Sequence, residues 1–168
     1  MANLNKQLDE RDSPESGFLQ SIKRVGIIAG EGALPALVAA DARSRGIEPV
    51  TVTFSPQTRK ILEPLSSALI QCGIGQTAKI VKFLKEKDVR DLVFVGKVDK
   101  RLMYRNPILD FRAIQFLRRL KDRRDDSLML AIVKEFESEG FQVLPQKKFL
   151  SKLFPTVGVL SRRTPTQR

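Results

Sequence analysis

Short apolar runs alternate along this chain with segments of helical periodicity, and glycine or proline stands at most of the joins. Residues 25–29 (VGIIA) are apolar throughout, which fits a parallel strand buried on both faces. Pro35 suits the first turn of a helix, where its missing N–H costs nothing, and the segment 34–45 then sets Leu37, Val38 and Ala42 on one face. Gly46 is a C-terminal stop, and residues 49–54 (PVTVTF) read as a second strand. The polar, proline-bounded stretch 55–64 predicts a loop with a short helix. A third strand is expected over 68–72, a glycine turn over 73–75, and a helix over 76–87 carrying Ile80, Val81 and Leu84. Residues 91–95 (DLVFV) form a fourth strand ending at Gly96-Lys97. Helices are expected over 111–120 and 126–138, the second stopped by Gly140, followed by a last strand at 141–144 (FQVL) and a short helix at 149–154. Strands alternating with helices argue for an α/β fold, doubly wound around a mainly parallel sheet of about five strands. Residues 1–22 are polar and broken by Ser13-Pro14, the pattern of a flexible leader; the folded domain is expected over 24–160, with 161–168 as a tail.

Composition narrows the chemistry. The 168 residues suffice for one α/β domain, and ten Phe with one Tyr and no Trp leave a core filled by aliphatic side chains and Phe. No apolar run reaches membrane-spanning length and the start has no signal-peptide core, so a cytoplasmic location is expected. The absence of His removes every Ser-His or Cys-His relay and most transition-metal sites. The lone Cys72 excludes an internal disulfide and reads as a buried structural thiol. A net charge of +11, with a pI near 10.2, calls for an anionic partner: nucleic acid, an acidic membrane face or a phosphorylated small molecule.

Three glycine-bearing turns follow strands: Gly30-Glu31-Gly32, Gly73-Ile74-Gly75-Gln76 and Gly96-Lys97. Doubly wound folds bind their ligands at that edge. The first turn can present amides to an anion at a helix N-terminus, or can simply be a tight strand-to-helix turn. It is neither a Walker loop, since no Gly-Lys-Ser/Thr follows, nor a dinucleotide fingerprint. Pro35 takes the place of the third glycine, and the second strand ends Thr53-Phe54-Ser55 with no acid for ribose hydroxyls. Lys97 is either a cation suited to a diphosphate or a solvated lysine; Gln76 either meets a base or sugar or caps its helix. The basic run 97–124, which includes Lys100, Arg101, Arg105, Arg118 and Arg119, reads as a nucleic-acid face, a contact for an anionic membrane, or a solvated helix face. Asp126 reads as an N-cap in preference to one half of a metal pair with Asp125, and no Mg²⁺ site is evident.

The ordered set IIAGEGALP, CGIGQTAKIVKFLKEKDVRDLVFVGKV, DDSLMLAIVKEFESEGFQV and GVLSRRTPT resembles a bacterial enzyme family over about residues 24–165. That family is the two-domain, non-metallophosphoesterase form of UDP-2,3-diacylglucosamine pyrophosphatase in lipid A biosynthesis, and the likeness is to its N-terminal domain. The resemblance implies a Mg²⁺-dependent hydrolase that cleaves the substrate's diphosphate to UMP and 2,3-diacylglucosamine 1-phosphate. It also implies a Rossmann-like domain that closes over the lipid-bearing substrate together with a second domain. By position, Gly30, Gly32, Ala33 and Leu34 match the family's first glycine turn, Gly75 and Gln76 its second, and Gly96, Lys97 and Val98 its third, so these are the implied substrate contacts. Glu31 stands where the family usually has a small or neutral residue. In the family GVLSRRTPT leads into a second domain that carries most of the catalytic aspartate chemistry and the metal. The expectation is therefore a substrate-binding half, inactive without that domain in cis or trans, with unassigned catalytic residues and Mg²⁺ ligands outside this chain. An anionic inner-membrane surface is a further expected partner. The residues alone also leave open a free-standing nucleotide or sugar-nucleotide binding module and a basic nucleic-acid-binding domain. A reductase is the weakest fit, lacking the ribose acid and a catalytic Tyr-Lys spacing.

Overall fold

The computed structural model describes residues 21–98 and 125–150. At its centre lies β1 (Arg24–Ala29), buried at every position after Arg24. It pairs in parallel with β2 (Glu48–Thr53) on one side and β4 (Asp91–Val95) on the other. β3 (Ala68–Gln71) extends the sheet beyond β2, and β5 (Gln142–Val143) extends it beyond β4. All pairings are parallel and the strand order is β3-β2-β1-β4-β5, the expected doubly wound α/β sheet.

Period-two alternation sends successive side chains to opposite faces, and each face has its own core. Val25, Ile27 and Ala29 of β1 join Val93 and Val95 of β4 beneath α1 (Leu34–Ser44) and α2 (Pro56–Leu62). Val38, Ala39 and Ala42 come from α1, Leu62 from α2, and Ile22 and Phe149 complete the layer. On the other face Ile28, Val50, Val52 and Leu92 pack under α3 (Thr77–Glu86) and α4 (Asp125–Ser138), through Ile80, Val81, Leu84 and Phe136. Gly26 belongs to this second face. A Cβ there would collide with Leu92 and come within 2.9 Å of Val89 Cγ1, so the third strand residue must be glycine for α3 to sit down.

The sequence pattern placed the elements well and their limits less well. β2 starts and ends one residue earlier than expected, β3 stops before Cys72, and α3 begins after Gln76. The expected loop at 55–64 is mostly helical: Ser55 caps α2, its Oγ accepting from Thr58 N at 3.2 Å, and a 3-10 turn (Glu63–Leu65) follows. The last strand is only two residues long, paired with Asp91 and Leu92, and the chain passes through Pro145 into a 3-10 turn directly afterwards. A 3-10 turn at Gln146–Phe149 was not expected, and most of the helix expected at 149–154 lies outside the described residues. Leu37 is corrected as well. The buried stripe of α1 is Pro35, Val38, Ala39 and Ala42, and Leu37, about 100° from Val38, stays 44% exposed. α4 includes Asp126 within its span, which replaces the expected N-cap role. The expected helix at 111–120, the tail, and the leader up to residue 20 lie outside the described residues, as does most of the basic run 97–124.

Cys72 is buried at the end of β3, and its N–H donates to the Thr53 carbonyl at 3.1 Å. Burial pushes its thiol from an ordinary 9.0 up to about 11, with the charge of Lys79 acting weakly in the opposite sense. Between these values the folded chain holds a proton that the unfolded chain has lost, so stability falls as pH rises through the window. Urea unfolding at pH 8 and pH 10.5 is expected to show this loss in the wild type and a smaller one in Cys72→Ala. Gly26→Ala is expected to cost about 1–3 kcal/mol by overpacking the α3 face, read from the same denaturation midpoint at pH 7.

Candidate functional site

Because every strand runs the same way, the turns that follow them gather at one edge of the sheet. Strand order reverses between β1 and β4, and that reversal is where a doubly wound sheet opens a crevice. Here the two turns are joined. Gly30 N donates to the Val95 carbonyl at 2.9 Å. Glu31 and Lys97 exchange both backbone hydrogen bonds, Glu31 N to Lys97 O at 2.7 Å and Lys97 N to Glu31 O at 2.9 Å, as an isolated antiparallel bridge.

This approach leaves no room for side chains at two positions. A Cβ on Gly30 would sit 2.5 Å from the Lys97 carbonyl oxygen. Gly96, at φ +91°, would put one 2.8 Å from the Glu31 carbonyl oxygen and 2.9 Å from Pro35 Cγ. Backbone cannot swing aside as a side-chain tip can, so both glycines are required by the join itself. Gly32 differs: its φ of +103° needs glycine, while the space around it is open.

The join also decides which amides remain for a ligand. Those of Gly30, Glu31 and Lys97 are spent within it. The remaining amides of the first turn are those of Gly32, Ala33 and Leu34, at the start of α1. That helix has no side-chain cap, no acid in its first turn, and Pro35 in place of one donor. Its positive end is therefore uncovered, an arrangement suited to an anion.

A shallow, solvent-open crevice lies beside the join, lined by Ala29, Gly30, Glu31, Phe54, Ser55, Lys97 and Val98. The structure thus brings together Gly30, Lys97 and Val98 of the implied contacts, with Gly96 behind them and Gly32, Ala33 and Leu34 on the adjoining helix start. Gly75 and Gln76 lie in the turn between β3 and α3, beyond the strand two places from β1, and outside the crevice lining. Gln76 closes its own turn: Oε1 accepts from Gly73 N at 2.9 Å, and its N–H donates to the Gly73 carbonyl at 3.1 Å.

Phe54 and Ser55 are crevice residues that the sequence pattern did not single out. The available signal was position, since they follow β2 at the edge where the other turns meet. Ser55 is a wall and no nucleophile, because its hydroxyl accepts from Thr58 N and donates to Thr58 Oγ1 at 3.0 Å. Among the described residues no three His, Cys, Asp or Glu side chains come together to hold a metal. Glu31 is the single acid lining the crevice, and one carboxylate does not make the oxygen cage that Mg²⁺ requires. These residues do not fit the metal.

Gly30→Ala is expected to destabilise by more than about 2 kcal/mol, since it forces two backbones apart, whereas Gly32→Ala pays only for its φ and should cost about 1 kcal/mol. Guanidinium melts of the two variants check the order.

Residues 24–153 match the family model for the LpxI N-terminal domain. The chain is also similar to the UDP-2,3-diacylglucosamine pyrophosphatase LpxI of Caulobacter vibrioides, at 26% identity over 147 residues. That alignment takes in 86% of this chain and 51% of the relative, so the chain spans about half the length of the curated relative it matches. The family match begins at the first residue of β1 and runs past the last described element, so it contains the whole sheet and both turns of the join. The chain belongs to the LpxI N-terminal domain family.

Proposed function

We propose that this chain is the substrate-binding half of a lipid A biosynthetic hydrolase that cleaves the diphosphate of UDP-2,3-diacylglucosamine, giving UMP and 2,3-diacylglucosamine 1-phosphate. The observation that carries the proposal is the family match over residues 24–153, which contains the joined turns and the crevice beside them. The chemistry of the edge supports it. Lys97 offers a cation for the diphosphate, and the uncapped start of α1 offers amides from Gly32, Ala33 and Leu34. Leu34 and Leu37, one helical turn apart and 38% and 44% exposed, add an apolar surface next to these polar groups. Val98, 43% exposed, adds another. A ligand that is anionic at one end and acylated at the other uses both kinds of surface. Gly75 and Gln76 would then meet the substrate further along the edge.

Catalysis in this proposal belongs to a second domain, in cis or in trans, which supplies the acids and the Mg²⁺ ligands for attack on phosphorus. The Rossmann-like half alone binds and orients. A net charge of +11 favours a cytoplasmic protein resting peripherally on the anionic inner membrane, where its lipid substrate resides. Among the described residues no helix is long and apolar enough to cross a membrane.

The test is thermal unfolding of the chain with UDP-2,3-diacylglucosamine, UDP-N-acetylglucosamine or NADH, with Mg²⁺ present and UMP release followed. The UDP-lipid should raise the melting temperature most, by the equivalent of about 2.7 kcal/mol at a hundredfold excess over Kd, without releasing UMP. UMP release would return catalysis to this chain. Stabilisation by NADH, with none from the UDP-lipid, would sink the substrate assignment.

A further inference from the structure

Glu31 and Lys97 oppose each other as a hydrogen-bonded antiparallel pair. Residues so paired place their side chains on the same side of the two backbones, with Cβ atoms about 5.5 Å apart. Opposite charges in that position ordinarily close on each other. Here both side chains are exposed, both line the crevice, and among the described residues neither enters an ion pair. The crevice therefore presents a carboxylate and an ammonium side by side, each rooted in backbone that the other holds in place.

A carboxylate in this place is a poor neighbour for phosphate and a good one for hydroxyl groups, because it only accepts hydrogen bonds. Dinucleotide-binding sheets put such an acid at the end of the second strand, on the ribose. In this chain β2 runs out into Phe54-Ser55 with no acid, yet Glu31 lines the same crevice as those two residues. The acceptor that β2 lacks is supplied from the turn after β1. A nucleotide carries both complements, an anionic phosphate and a vicinal hydroxyl pair. On the UDP-lipid of the proposed function, acylation turns the 2-amine of the glucosamine into an amide and the 3-hydroxyl into an ester, so the ribose keeps the only vicinal diol that two carboxylate oxygens could engage together. Resting on that substrate reading, we propose that Glu31 is the specificity residue for ribose, accepting hydrogen bonds from its 2′- and 3′-hydroxyls while Lys97 holds a phosphate of the same nucleotide.

Calorimetric titration of the full 168-residue chain with UDP and with 2′-deoxy-UDP tests this. The wild type is expected to prefer UDP by about tenfold, in keeping with one hydrogen bond to a charged group. Glu31→Ala should lose that preference, weakening UDP more than 2′-deoxy-UDP, which has only its 3′-hydroxyl to lose, and Glu31→Gln should keep part of it. Lys97→Ala should weaken both ligands alike. An unchanged melting temperature for the free variants separates these effects from misfolding, and Glu31→Gln carries the test if the alanine variant fails to fold. Tighter UDP binding by Glu31→Ala, or an equal loss for both nucleotides, overturns the proposal. A wild type that takes UDP-2,3-diacylglucosamine but does not distinguish ribose from deoxyribose overturns it and leaves the substrate reading standing. A wild type that takes neither UDP nor the UDP-lipid overturns both.

Discussion

Two loops that leave neighbouring parallel strands can be joined by backbone hydrogen bonds only where donor and acceptor come within about 3 Å, and in this chain a Cβ at position 30 or 96 would stand in the way of that approach. The rest of the edge depends on this constraint. Gly30 and Gly96 meet it by having no Cβ, and Glu31 and Lys97 then lock the approach with a reciprocal pair of bonds. The join sets where the crevice opens, which amides are spent, and where the two charged side chains are rooted. It lies over the centre of the sheet, where β1 and β4 are held on both faces by separate cores, so the platform beneath it is rigid.

The same constraint alters the meaning of the glycine turn. A G-x-G after a strand invites comparison with phosphate loops, whose glycines let amides approach a ligand. In this chain Gly30 lets its backbone approach a neighbouring loop, and the amides around it are consumed there. Anion-binding capacity moves one step along the chain, to the uncapped start of α1, and to the cation of Lys97. The ammonium of Lys97 and the carboxylate of Glu31 line the crevice, and the positive end of α1, with exposed Leu34 and Leu37, adjoins it. That mixture is unlike a conventional dinucleotide site.

Much of the fold is legible in the order of residues alone. Apolar runs bounded by glycine mark every strand, and the proline at position 35 marks the start of α1, because both features act locally through backbone geometry. Element limits are less legible, since they depend on partners: β5 pairs with β4 at only two positions, and Leu37 is exposed because α1 docks through its neighbours Pro35, Val38, Ala39 and Ala42. Of the site, the glycines and Lys97 can be found as turn residues at strand ends. Phe54 and Ser55 cannot, having no chemical signature beyond the strand they follow.

Sequence by itself determined the fold class, the absence of histidine chemistry, the basic charge and the family, because each is carried by residue identity or by order along the chain. Tertiary structure alone decided that Gly30 and Gly96 serve each other's backbones and that Glu31 shares a crevice with Lys97. Those facts join positions tens of residues apart. Only the packing of β1 against β4 brings them within hydrogen-bonding distance.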